Sequence, residues 1–133
     1  MRRRNVSDSI TEFRGEVMKV QKFAITDVAL EQSPGQTAQV YAGNVVDQSH
    51  GGPITIGYGR YVAGATIDEH IAVHDVMVVL KGNISVQSDA GTVTAGPGEV
   101  IYMPKGSAVN IRAHDEGAET AYVTYPHWQE VQA

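Results

Sequence analysis

Between Gly64 and Gly106 the chain carries two strand-turn-strand units, and their glycine and proline punctuation restricts the fold more than any other stretch. The first runs Gly64-Ala-Thr-Ile-Asp-Glu-His70-Ile-Ala-Val-His74-Asp75-Val-Met-Val-Val-Leu-Lys-Gly82. The second runs Gly96-Pro-Gly98-Glu-Val-Ile-Tyr102-Met-Pro104-Lys-Gly106. A short apolar run such as Val76 to Leu80, bounded by turn residues, suits a strand buried on both faces. The first unit gathers acids and histidines at the head of that strand. The second has matching punctuation and no histidine.

The rest of the chain reads the same way. Strands are expected over 37–46, 54–63, 75–87, 92–95, 100–103, 110–113 and 120–125. Turns are expected at Ser33-Pro34-Gly35, at 88–91, at Gly96-Pro97-Gly98 and at 114–117. Short strands at turn spacings of about 8–12 residues argue for a sandwich or barrel. The stretch 17–28 alternates Val20, Phe23, Ile25 and Val28 and reads as a strand without a hairpin partner, a candidate for pairing two subunits. Upstream, Val6, Ile10, Phe13 and Val17 fall at helical spacing behind Ser7 as a cap. That places an N-terminal arm at 1–16, either packed on the barrel or docking to a partner, and one domain at 17–133.

Composition narrows the function classes. With 133 residues, 42% hydrophobic and 19% charged, the chain has enough for one core and not for two. Fourteen glycines and five prolines favour turns and strands over helices. A net charge of −5 argues against a nucleic-acid partner. There is no cysteine, hence no disulfide framework and no thiol chemistry. No apolar run has membrane-spanning length, and no apolar segment follows the basic N-terminus, so the expectation is a cytoplasmic protein without a membrane partner.

The two units resemble the motifs of the cupins, small jelly-roll barrels. The first cupin motif is Gly, five residues, His-x-His, three or four residues, Glu, six residues, Gly. The second is Gly, five residues, Pro-x-Gly, two residues, His, three residues, Asn. Six residues separate Asp75 from Gly82, so Asp75 takes the Glu position. Four spacer residues put His70 and Asp68 in the histidine positions; three put Ile71 and Glu69 there. Gly98, Pro104 and Gly106 match the second motif, whose histidine position is then Val109 and whose asparagine position is Ala113. Within the cupins the chain is most similar to the EutQ-like group of ethanolamine utilisation. The cues are His74-Asp75, the stretch Ala95 to Ser107, and the ending Tyr122-Val-Thr-Tyr-Pro-His-Trp128. The resemblance implies a role around amine or aldehyde metabolism, with a bacterial microcompartment as an associated partner. An acetate-kinase-like activity has been proposed for that group, but the chain has no Gly-x4-Gly-Lys-Ser/Thr phosphate loop.

The chemistry expected of such a barrel centres on its mouth. In the four-spacer register, Asp68, His70 and Asp75 converge and could hold a divalent metal. With Val109 in the place of the second motif's histidine any such metal is weakly held, and the cofactor expectation is none or a weak divalent ion. His74 is adjacent to Asp75 and on a regular strand faces the other side. The metal-free reading uses Asp75 as a general base raised by burial, His70 as an acid or base, and Tyr102 as a third catalytic group. Asp68, Glu69, His74, Tyr61 and Tyr122 are the candidate binding residues. His50, His114 and His127 read as surface residues, and Trp128 as packing the C-terminal tail. Three functions follow: a homodimeric EutQ-like cupin binding or transforming a small polar metabolite, a metal-dependent lyase, isomerase or dioxygenase, or a non-catalytic assembly or binding protein.

Overall fold

A computed structural model describes residues 19–32 and 39–128. The expected arm at 1–16, with its boundary to the domain, lies outside the described residues. Eight strands follow one another: β1 (Glu31–Gln32), β2 (Val40–Val46), β3 (Thr55–Tyr61), β4 (Thr66–His70), β5 (His74–Ser88), β6 (Gly91–Ala95), β7 (Val100–Met103) and β8 (Ala108–Tyr125). All pairings are antiparallel.

Two long strands, β5 and β8, build the barrel. Their first pairing, from His74↔Tyr125 to Gly82↔Ala118, is flanked by β7 on one side and by β3, β2 and β1 on the other. Their second, from Ile84↔Ala113 to Gln87↔Asn110, is flanked by β6 and β4. The chain thus forms two sheets that share β5 and β8. The bend between them falls where the register jumps from Gly82↔Ala118 to Ile84↔Ala113. Gly82 and Gly117 both sit at φ +75 there, and a Cβ on Gly82 would overlap the Gly117 carbonyl oxygen. Only a residue without a side chain permits that approach. The turn expected at 114–117 is therefore a bulge inside one strand, of the kind that bends a sheet.

One core fills the space between the sheets. Val79 and Ile84, on either side of the bend, have no exposed surface, and Met77, Ile101, Met103 and Ile111 surround them. Burying each aliphatic side chain of this size contributes about 2 kcal/mol. On β5 the period of two sends Asp75, Met77 and Val79 inward and His74 to the exposed side.

Within the strand expected at 17–28, the described residues 19–28 form no strand. Residues 19–24 are irregular and Ile25–Asp27 form a 3-10 turn, closed by the Ala24 N–H donating to Asp27 Oδ2 at 2.8 Å. This segment packs on its own barrel. The Tyr58 hydroxyl donates to the Phe23 carbonyl at 3.1 Å, and a Cβ on Gly43 would press on the Ala29 carbonyl and the Val28 side chain. Conversely, 66–70 forms β4, a strand that the periodicity did not single out.

Candidate functional site

Alternation on four strands decides which side chains enter the barrel. On β4, Ile67 is buried and Glu69 half-buried, while Thr66, Asp68 and His70 are exposed. On β3, Gly57, Gly59 and Tyr61 face inward. On β8 the inward stripe is Thr120, Tyr122 and Thr124, paired with Gly59, Gly57 and Thr55. With Asp75 from β5 and Asn44 from β2, the side chains of Tyr61, Glu69, Thr120, Tyr122 and Thr124 line a cavity of about 470 Å³ that Trp128 also borders. That volume lies in the range of small-molecule sites.

The two inward glycines of β3 make this arrangement possible. A Cβ on Gly57 would overlap the Tyr122 ring, and one on Gly59 would lie 2.9 Å from Thr120 Oγ1. The space they leave lets Tyr122 lie across β3 and donate from its hydroxyl to Asn44 Oδ1. Asp75 stands opposite Thr124 on one side and opposite Met103 on the other. Burial pushes its carboxyl up from 3.8 to about 6, and the neighbouring charge of Glu69 adds to the rise. Burial, then the charge of Asp75, raises the Tyr122 hydroxyl above its ordinary 10, and the same causes act on Tyr61. Both phenols stay protonated near neutral pH and can serve only as neutral hydrogen-bonding groups.

One polar atom inside is left over. Thr124 is 3% exposed and borders the cavity, and its Oγ1 has no hydrogen-bond partner. A buried hydroxyl without a partner costs roughly 1–3 kcal/mol, a cost that valine at the same position would not carry.

The structure separates the residues that the four-spacer register had joined. Asp68 is exposed and accepts from Asn110 Nδ2 at 3.0 Å, outside the barrel. His70 is exposed and borders the cavity, but among the described residues no three His, Cys, Asp or Glu side chains gather closely enough to hold a metal ion. The inward set is Glu69, Ile71 and Asp75, which is the three-spacer register, with buried Val109 beside Glu69 on the paired strand. Two carboxylates and two aliphatic groups do not fit the transition metal that the cupin motif implies, since none of these four side chains supplies an imidazole. Asp68, His70 and Asp75 are therefore not a metal triad.

Two further expected site residues lie outside. Tyr102 is 57% exposed on the outer face of β7 and stacks on His74, ring centroids 6.1 Å apart. Its hydroxyl donates to His74 Nδ1 at 3.0 Å, which also accepts the Lys105 N–H at 3.3 Å. The pair stands back to back with Asp75 and cannot act on a molecule in the cavity. His127, expected at the surface, is 5% exposed. Its Nε2 donates to the Gly52 carbonyl at 2.9 Å, so Nδ1 accepts from the Thr55 hydroxyl at 2.6 Å. That anchor sets Trp128 at the cavity. His114 is half-buried and bonds Ser85 Oγ at 2.7 Å. His50 is exposed, with its Nδ1 accepting the Asp47 N–H in a short turn.

Asn44, Thr120 and Thr124 join the site beyond the residues expected from sequence. The polar period Thr120-x-Tyr122-x-Thr124 on an otherwise apolar strand was the signal for two of them.

Known proteins bear on these observations. The family described as ethanolamine utilisation protein EutQ matches residues 7–130. A structural-genomics protein of unknown function from Rhizobium leguminosarum bv. viciae 3841 is 57% identical, with a TM-score of 0.71 over 83% of this chain and 100% of that one. The Clostridium difficile EutQ protein is 24% identical, with a TM-score of 0.67 over 85% of this chain and 80% of its own. The cupin domain of Schizosaccharomyces pombe Cnp3 is 19% identical, with a TM-score of 0.67 over 84% and 78%. No curated protein matches the chain by sequence.

Proposed function

The chain belongs to the ethanolamine utilisation protein EutQ family and folds as a cupin, and from that premise we propose that its barrel cavity binds, or transforms, a small polar metabolite. The observation that carries this reading is the buried Asp75 carboxyl on the lining of a cavity of about 470 Å³, beside Thr124, whose buried hydroxyl has no partner. A fold selected for stability alone would place valine there, at the same volume and without a stranded hydroxyl. A buried carboxylate poised near neutral pH is equally costly, and such groups concentrate at functional sites.

Asp75 has the properties of a proton acceptor for the bound molecule, since its carboxylate is raised toward the working pH. Tyr122, held by Asn44, presents a fixed polar edge. The family's description supports a setting in ethanolamine, and hence amine or aldehyde, metabolism. The test is a thermal-shift panel of small amines, aldehydes and hydroxy acids. At least one should raise Tm, because a ligand at 100 times its Kd stabilises the fold by about 2.7 kcal/mol. The gain should vanish in Thr124→Val. A panel without any shift, or shifts indifferent to Thr124→Val, would remove the barrel from consideration as the binding site.

A further inference from the structure

We infer that the outer face of the sheet holding β7, β3 and β2 is the docking surface of the chain's own N-terminal segment, residues 1–18, which lies on it through Val6, Ile10, Phe13 and Val17. The surface is on the far side of the sheet from the cavity and does not depend on what the cavity binds. The two sheets have outer faces of opposite character. On the sheet holding β6 and β4, one cross-strand row is Thr94, Ser85, Arg112 and Thr66, and the next is Thr92, Gln87, Asn110 and Asp68. Polar neighbours bond to one another there, as Ser85 does with Thr94 and Asn110 with Asp68. On the other sheet, the row across β7, β5, β8 and β3 is Val100, Val78, Ala121 and Tyr58. The next is Tyr102, Val76, Val123 and Ile56. Neither of these two rows contains a charge. Val100 and Tyr102 are each 57% exposed. A contiguous apolar face of this kind, on a molecule whose other sheet is polar outside, marks a place of contact.

One end of that face is already covered, by the stretch that precedes β1. Gly43 and Tyr58 are a cross-strand pair of β2 and β3. The Tyr58 hydroxyl donates to the Phe23 carbonyl, and the Ala29 carbonyl and Val28 side chain fill the space where Gly43 would carry a Cβ. Residues 23–29 thus run over the outer side of β2 and β3. Just before them, Val20 is fully exposed. The first eighteen residues therefore join the described chain near the border between the covered and the open part of the face.

Their sequence is complementary to it. Val6, Ile10, Phe13 and Val17 recur at intervals of four, three and four, with Asp8, Glu12, Arg14 and Glu16 between them, the stripe of an amphipathic helix. A stripe that short needs a second apolar surface to be stable. Twelve helical residues measure about 18 Å. Four strands spaced about 4.8 Å apart present about 19 Å. The link over residues 18–22 reaches about 17 Å when extended, enough to carry Val17 from Phe23 onto β8. A segment tethered by so short a link has an effective concentration of about millimolar, above that of a second copy in dilute solution.

Nitroxide labelling of the full chain tests the assignment. The protein has no cysteine, so Glu12→Cys places a single label on a polar position beside the stripe. The amide signals of Val76, Val78, Ala121 and Val123 should lose intensity while the label is oxidised and recover when it is reduced. Those of Gln87, Thr92 and Asn110 on the other sheet should keep theirs. Adding Ile10→Asp and Phe13→Asp to the labelled chain should restore the lost signals and increase the binding of a hydrophobic dye, as the face opens. Equal intensities on both faces would overturn the proposal. Signal loss that survives Ile10→Asp and Phe13→Asp would overturn it too, because the stripe would then not be the contact. An equal mixture of isotope-labelled wild type with unlabelled, nitroxide-bearing chain should show no loss. Loss at the same four amides in that mixture would overturn docking within one chain in favour of docking on a second copy.

Discussion

Asp75 and Thr124 face each other across the β5–β8 ladder, a carboxylate that burial raises to about 6 against a hydroxyl with no partner. Each alone lowers stability, and both line the same cavity.

Asp75→Asn should stabilise the protein near neutral pH. The folded-state value, about 6, exceeds the ordinary 3.8, so the folded state binds the proton more tightly than the unfolded chain. Stability contributed by the protonated form is complete below pH about 4 and is lost as pH rises through 6. The loss at pH 7 is about 2–3 kcal/mol at most. Denaturant melts of the wild type should therefore weaken between pH 4 and 7 relative to the variant. Parallel pH profiles would mean that Asp75 is not buried as described.

Gly57→Ala should damage the site more than the fold. The added methyl meets the Tyr122 ring, which must leave Asn44 to make room. Overpacking of this kind costs about 1–3 kcal/mol. Circular dichroism should retain the β spectrum while any ligand-induced thermal shift disappears. An unchanged ligand response would show that Tyr122 has no part in binding.

His127→Ala should cost about 1–3 kcal/mol, since it removes a buried hydrogen bond to Thr55 Oγ1 and a part-buried one to the Gly52 carbonyl. Trp128 follows directly in sequence, so its emission should shift to the red as its anchor is lost. An emission maximum that stays in place would mean that something other than His127 holds the tryptophan.

The metal slots can be tested by building them. In the register seen here, Ile71→His together with Val109→His adds two imidazoles on the inward face near Asp75 and Glu69, and the double variant should bind Zn²⁺ or Ni²⁺ that the wild type does not retain after purification. Asp68→Ala and His70→Ala should leave metal content unaltered. Stoichiometric metal in the wild type that is lost in His70→Ala would restore the four-spacer register.

The barrel was legible because its signals are local. Gly98, Pro104 and Gly106 mark turns, and the run Val76–Leu80 marks a buried strand whatever lies around it. The site was less legible, because a period of two makes it sensitive to a single residue. Counting four spacers instead of three between β4 and Asp75 turned Asp68 and His70 inward and Glu69 outward, and the four-spacer choice looked better because it supplied an imidazole. Tyr102 was misplaced for the same reason, although its neighbours Ile101 and Met103 are the buried pair of β7. His127 could not be placed from sequence at all. Its partners Thr55 and Gly52 lie more than 70 positions away, and only the closed barrel brings them together.

Chemical-shift mapping by NMR with 2-aminoethanol is the most direct test of the barrel as the binding site. Perturbations should concentrate on Asp75, Tyr122, Thr124 and the Trp128 indole, inside the cavity, and leave the outer pair His74–Tyr102 and the Ser85–His114 contact unmoved. Perturbations centred on those outer groups, with Thr124 and Asp75 silent at saturation, would contradict it.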